Sequence, residues 1–112
     1  MASSQSTVDF VLEQIAGAGD VSARKMFGEY GVYCDGRVVG LICDDTFFVK
    51  PTGAGEAFAP GLERGPPYPG AKLYLRIDAD RLEDPDWLAD LVRRTTAEVP
   101  LPKPKPKSKA RK

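Results

Sequence analysis

Apolar positions fall into two regimes along the 112-residue chain. Val8, Val11, Leu12 and Ile15 recur at i, i+3, i+4 and i+7, the single stripe of an amphipathic helix. Ser6-Thr7-Val8-Asp9 fits a capping box, with the hydroxyl on early amides and the carboxylate reaching back. Gly17 and Gly19 are expected to end this helix, because glycine readily takes the left-handed conformation of a helix end. The period then shortens. Ser22 to Phe27 reads as extended and Gly28-Glu29-Tyr30-Gly31 as a tight connection, which on the bland reading is a turn or bulge with Met26, Phe27 and Tyr30 packing nearby. Val32-Tyr33-Cys34 and Arg37 to Cys43 flank Asp35-Gly36, a strong hairpin signal. Asp44-Asp45 makes a second two-residue turn into Thr46-Phe47-Phe48-Val49-Lys50, and Pro51 closes that strand because it cannot donate to a ladder.

From Thr52 to Gly70 the pattern dissolves into glycine and proline, with one helical turn expected at Glu56-Ala57-Phe58. Gly65-Pro66-Pro67-Tyr68-Pro69-Gly70 reads as a loop or polyproline-type edge. Lys72 to Ile77 alternates as a last strand, with Leu73, Leu75 and Ile77 on one face. Asp84 then caps a closing helix, Pro85 fits its first position and Asp86 its positive end, while Arg93 and Arg94 suit its negative end. Leu88, Leu91, Val92 and Thr95 form its inner stripe, and Trp87 is expected to anchor it to the sheet. The fold class is therefore α+β: a two-layer α/β domain, with an antiparallel sheet and helices packed on one face. Hairpin connections this short exclude a parallel βαβ centre.

Composition adds a size and a location. One domain of this length buries enough surface to fold without metal or disulfide staples. No apolar run approaches the ~18 residues of a membrane span, and the N-terminus lacks the basic start and apolar stretch of a secretory signal. A cytoplasmic location with no membrane association is the simplest expectation. The 16 basic and 16 acidic residues cancel only in sum. Lys103, Lys105, Lys107, Lys109, Arg111 and Lys112 lie in a Pro-Lys tail, residues 100–112, that holds no acid. Removing those six leaves residues 1–100 with 10 bases against 16 acids, a balance of −6. An acidic body, the domain at residues 1–99, thus carries a cationic arm. Too apolar-poor to fold, the arm is expected to be disordered, with about 40 Å of reach at ~3.1 Å per residue. Its six charges are the candidate nucleic-acid contacts, with a salt slope of up to ~5 on duplex DNA; a solubility tail is the competing reading. Without interleaved aromatics, base stacking by the tail is not expected.

Candidate chemistry is thin. The chain has no histidine, so neither the commonest general base nor the commonest metal ligand is present, and no Ser-His or Cys-His couple can form. Arg24-Lys25-Met26-Phe27-Gly28-Glu29-Tyr30-Gly31 mixes bases and glycines but lacks the spacing and the strand-to-helix junction of a phosphate loop. Asp78, Asp80, Glu83, Asp84 and Asp86 invite a calcium reading, yet Leu82, Glu83 and Ala89 stand where an EF-hand loop needs a ligand, a glycine and a glutamate; caps and a solvated face are expected instead. Cys34 sits opposite Arg37 at one end of the hairpin and Cys43 six residues on, roughly 20 Å away at ~3.3 Å per residue, too far for a disulfide. Two such thiols are not a zinc set either. No catalytic residue, cofactor or metal is assigned.

Read together, Val21 to Gly36, with its R-x-M-F-G-x-Y-G core followed by Asp35-Gly36, resembles the signature of the TfoX (Sxy) N-terminal domain family. The resemblance continues through Leu41 to Lys50 and on to the last helix, covering nearly all of residues 8–99. It implies a two-layer domain with an antiparallel sheet, similar to secretion-chaperone-like folds, and a role in regulating bacterial competence. That label belongs to longer members with a second domain, so this chain reads as a single-domain member. The compressed Pro66 to Gly70 segment departs from the longer polar loop of other members. The resemblance carries over no catalytic residues. The leading expectation is a non-enzymatic regulatory or adaptor domain, a competence-type transcriptional co-regulator acting on an unknown protein partner, as a monomer or weak homodimer. The alternatives are a nucleic-acid-binding protein using Arg24, Lys25 and the basic tail, and a small enzyme or ligand-binding domain, which the missing histidine and motifs disfavour.

Overall fold

The computed structural model describes residues 4–26 and 29–99. Its first helix, α1 (Gln5–Ile15), buries Val8, Val11 and Ile15, as the stripe requires. The cap is Ser4, two residues before the expected Ser6: its Oγ accepts the Thr7 amide at 3.3 Å. A tertiary contact decides this, since the Ser4 amide itself donates to Asp45 Oδ1 at 2.8 Å and pins the chain there. The helix runs into a 3-10 turn, Ala16–Ala18, before Gly19 ends it.

Six strands follow: β1 (Val21–Met26), β2 (Glu29–Cys34), β3 (Arg37–Cys43), β4 (Thr46–Val49), β5 (Arg64–Gly65) and β6 (Tyr74–Ile77). They form one sheet in the order β1-β2-β3-β4-β6-β5, with every pair antiparallel. Both two-residue hairpins form, and Asp35, Gly36, Asp44 and Asp45 all have φ between 53° and 81°, as tight hairpin turns demand. The first connection is shorter than the sequence suggested. Glu29, Tyr30 and Gly31 are paired within β2, because Met26 already faces Glu29 across the ladder. Phe27 and Gly28 lie outside the described residues.

The helices α2 (Gly53–Phe58), α3 (Ala79–Leu82) and α4 (Pro85–Glu98) complete the elements of the described residues. Thr52 Oγ1 caps α2 by accepting the Gly55 amide, and Glu98 Oε1 takes the Ala54 amide at 3.1 Å from the far end of α4. A carboxylate at a helix N-terminus complements both its free amides and its dipole. Asp84 caps α4 and Pro85 opens it, as expected. Arg93 and Arg94 do not sit at its end, however. The helix continues to Glu98, and both guanidinium groups turn back to Asp90, at 3.0 and 3.1 Å. Trp87 packs against Phe58 of α2 at 5.8 Å between ring centroids, so it ties helix to helix instead of helix to sheet. Leu73 precedes β6 and is 54% exposed, because pairing starts only at Tyr74 opposite Gly65.

The core lies between helices and sheet. Val8, Val11 and Ile15 from α1 and Leu88, Leu91 and Val92 from α4 meet Val32, Val39, Ile42, Phe47, Val49, Leu75 and Ile77 from the strands. A bulge sets the phase of β3: Tyr33 faces Val38 while Val32 faces Gly40, leaving Val39 as the extra residue. Val39 and Gly40 therefore both turn toward the helical layer, and alternation resumes with Ile42 inward and Leu41 outward. Gly40 is required there because a Cβ would lie 2.3 Å from the Phe48 carbonyl oxygen. No helix among the described residues is long and apolar enough to cross a membrane.

Candidate functional site

The register places the residues of the sheet's open face in rows. The central row runs Arg24, Gly31, Leu41, Phe48 and Arg76 across β1, β2, β3, β4 and β6. Beside it lie Ser22, Tyr33 and Val38, and at the other end of the strands Glu29, Cys43 and Thr46. An antiparallel sheet with one solvated face alternates polar and apolar residues along its strands. β3 (RVVGLIC) and β4 (TFFV) do not; both read as strands covered on both sides.

Part of the cover is local. Phe48 and Cys43 are 6% and 5% exposed. Gly65 passes so close that a Cβ there would touch Phe48 Cε2 at 3.8 Å, and Pro67 beyond it is buried. Burial in this corner pushes the Tyr74 hydroxyl above its ordinary pKa, with Tyr68 and Cys43 adding to the effect. Tyr33, Val38 and Leu41 remain partly exposed. Arg24 lies over the Tyr33 ring at 5.2 Å, a cation–π contact made by an exposed residue. Arg76 pairs with the exposed Glu63 at 2.9 Å. Glu29, the acid that the register puts on this face, accepts the Asp44 amide at 3.0 Å.

The residues singled out from sequence are dispersed. Arg24 and Lys25 do not share a surface: Lys25 pairs with Tyr30, which packs on the core, so the two bases point to opposite sides of the sheet. Lys103, Lys105, Lys107, Lys109, Arg111 and Lys112 lie outside the described residues. Asp78 and Asp84 cap α3 and α4 through the Arg81 and Trp87 amides, while Asp80, Glu83 and Asp86 are exposed. Among the described residues no three metal-ligating side chains converge.

Both cysteines are free and buried, and the register turns them to opposite faces of the sheet. Burial raises the Cys34 thiol above its ordinary pKa, against a lowering hydrogen bond with Thr96. Burial likewise raises Cys43, with the Glu29 and Asp44 carboxylates reinforcing it. Neither is poised as a thiolate nucleophile at neutral pH. A cleft of about 270 Å³ beside β5 is lined by Ala59, Pro60, Gly61, Leu62 and Leu75, and its charged lining residues, Glu56 and Arg64, pair with each other. That volume falls below the ~300–1,000 Å³ typical of ligand sites. The open face is what sequence reasoning missed. Its signal was present as unalternating β3 and β4, but the bulge that assigns each residue to a face was not readable.

Two comparisons bear on this architecture. The model of a family described as the TfoX N-terminal domain matches residues 13–99. A Spirochaeta aurantia protein described as "Uncharacterized 12.7 kDa protein in trpE 5'region" is 43% identical over 100 residues, which span 89% of this chain and 86% of the relative.

Proposed function

The chain belongs to the TfoX N-terminal domain family, and on that premise we propose that it is a regulatory or adaptor domain that works through protein contacts, as a competence-type transcriptional co-regulator. The family is not an enzyme family. The observation that carries the reading is the apolar open face of the sheet, where Tyr33, Val38 and Leu41 stand partly exposed on strands whose composition is that of a covered layer. Depressed-pKa thiols and histidine couples, the usual nucleophilic sites, are not what this chain offers. The test is transcriptional. In a strain lacking the chain, transcripts of DNA-uptake genes should change, and the full chain should restore them. Unchanged transcripts would remove the co-regulator role.

Charge asymmetry favours a second reading, nonspecific nucleic-acid contact by the tail from Lys103 to Lys112. Anisotropy of labelled duplex DNA across a salt series should show affinity falling with a slope of up to ~5. Replacing the six tail cations with glutamine should abolish it. Equal binding by the neutralised chain would move the contact to the folded body.

A further inference from the structure

The central row of the open face has an apolar middle and an arginine at each end: Arg24, Gly31, Leu41, Phe48, Arg76. Neighbouring strands are about 4.8 Å apart, so the two arginine Cα atoms are separated by roughly 19 Å. Lys50, one residue past β4, continues its alternation onto the same side and is partly exposed. This face therefore sets Arg24, Lys50 and an Arg76 paired with Glu63 around an apolar floor, with Glu29 at one end of the strands, a cationic excess on a body whose overall balance is −6. We infer that the open face docks a short amphipathic protein segment whose apolar stripe is flanked by acids. The inference rests on the adaptor reading above and names its surface and the chemistry of its partner.

Other occupants fit less well. Two copies placed face to face would bring Arg24, Lys50 and Arg76 of each against a face whose acids are Glu29 and Glu63, leaving cations in excess, and like charges at an interface are unfavourable. The chain's own tail is cationic and meets the same objection. Single-stranded nucleic acid would use aromatic rings as stacking platforms, but Phe48, the ring at the centre, is 6% exposed, and Arg24 already lies over the Tyr33 ring at 5.2 Å. An acidic helix meets both demands at once. Its leucines cover Val38 and Leu41 as α1 and α4 cover the opposite face, and its carboxylates reach Arg24 and Arg76. A helix of about 13 residues spans that row at 1.5 Å per residue.

The probe is a fluorescein-labelled helical peptide of that length with leucines at i, i+3, i+4 and i+7 and glutamates on the flanks. Its twin has lysines in place of the glutamates. Anisotropy titration of the full chain should show the acidic peptide binding at least tenfold tighter than the basic one. Arg24→Glu with Arg76→Glu, both exposed sites whose thermal melts verify folding, should cut its affinity at least tenfold. Equal binding of the two peptides, binding of neither, or an unaffected charge-reversed chain overturns the inference. Photo-crosslinking in the native host separates this failure from failure of the adaptor reading. Benzoylphenylalanine replaces Tyr33 on the open face or Phe10, 36% exposed on α1. Crosslinks from position 33 to acidic segments of another protein support the docking site; crosslinks there to basic segments or to a second copy overturn it. Crosslinks from position 10 alone leave the adaptor reading standing and sink this one, and none from either position sinks both.

Discussion

Gly40→Ala isolates the close approach that sets the phase of the central strand. A Cβ at position 40 would lie 2.3 Å from the Phe48 carbonyl oxygen, 3.3 Å from its carbonyl carbon and 3.1 Å from Phe47 Cε1. A normal carbon–oxygen contact is about 1 Å longer than the first of these, and the obstacle is backbone in the middle of the β3–β4 ladder, so no rotamer change relieves it. Overpacking of this kind costs ~1–3 kcal/mol. Separating the strands to make room weakens one or two ladder hydrogen bonds at ~0.5–1.5 kcal/mol each. The sum is about 1.5–6 kcal/mol, a large share of the ~5–15 kcal/mol that holds a domain folded. At ~4–8 °C per kcal/mol for a chain near this size, it corresponds to a fall in Tm of about 6 °C at the least. The assay is urea unfolding and thermal melting followed by far-UV circular dichroism. Gly17→Ala is the matched control: its Cβ would meet Ala89 Cβ at 3.7 Å, an ordinary contact, so stability should stay within about 0.5 kcal/mol or rise slightly. A Gly40→Ala domain that melts within about 3 °C of the parent, with an unchanged urea slope, would refute the close approach and the bulge argument built on it.

Two further outcomes follow from the titratable groups. Asp45 has its carboxyl held below the usual carboxylate range by the Ser4 amide first and then by the Thr7 hydroxyl. A depressed folded-state pKa gives stability that is present above the unfolded value and lost as pH falls through the folded one. The gap in urea midpoint between the parent and Asp45→Asn should therefore be open at neutral pH and close in acid below the ordinary carboxylate range; a gap independent of pH would refute the contact. The buried thiols of Cys34 and Cys43, both raised by burial, should react with a disulfide reagent roughly a hundredfold more slowly in the folded chain than in urea. Prompt stoichiometric labelling of the native protein would contradict their placement.

Many features of this fold follow from local chemistry along the chain. The stripe of α1 follows from Val8, Val11 and Ile15, and the start of α4 from Asp84-Pro85. Both hairpins follow from Asp35-Gly36 and Asp44-Asp45, and the separation of the thiols from strand geometry. Each rests on residues within a few positions of one another, where side-chain hydrogen bonds and allowed φ angles set the outcome. The family, too, was legible from the Arg24 to Gly31 segment and its following hairpin. Charge balance between body and tail needed only counting.

Other features arise where distant segments compete for the same group. Ser4, not Ser6, caps α1 because Asp45 takes its amide from forty-one positions away. Trp87 faces Phe58 because α2, longer than its composition suggested, packs beside α4, where Gly55 allows close approach to Thr95. Arg93 and Arg94 pair with Asp90 since α4 runs on to a Glu98 that is held by α2. The open face belongs to this class most of all. In β3 nearly every residue is apolar, so no periodicity tells inside from outside, and a single extra residue at Val39 reassigns every side chain after it. Only the pairing of five strands could bring Arg24 and Arg76, fifty-two residues apart in the chain, to the two ends of one apolar row.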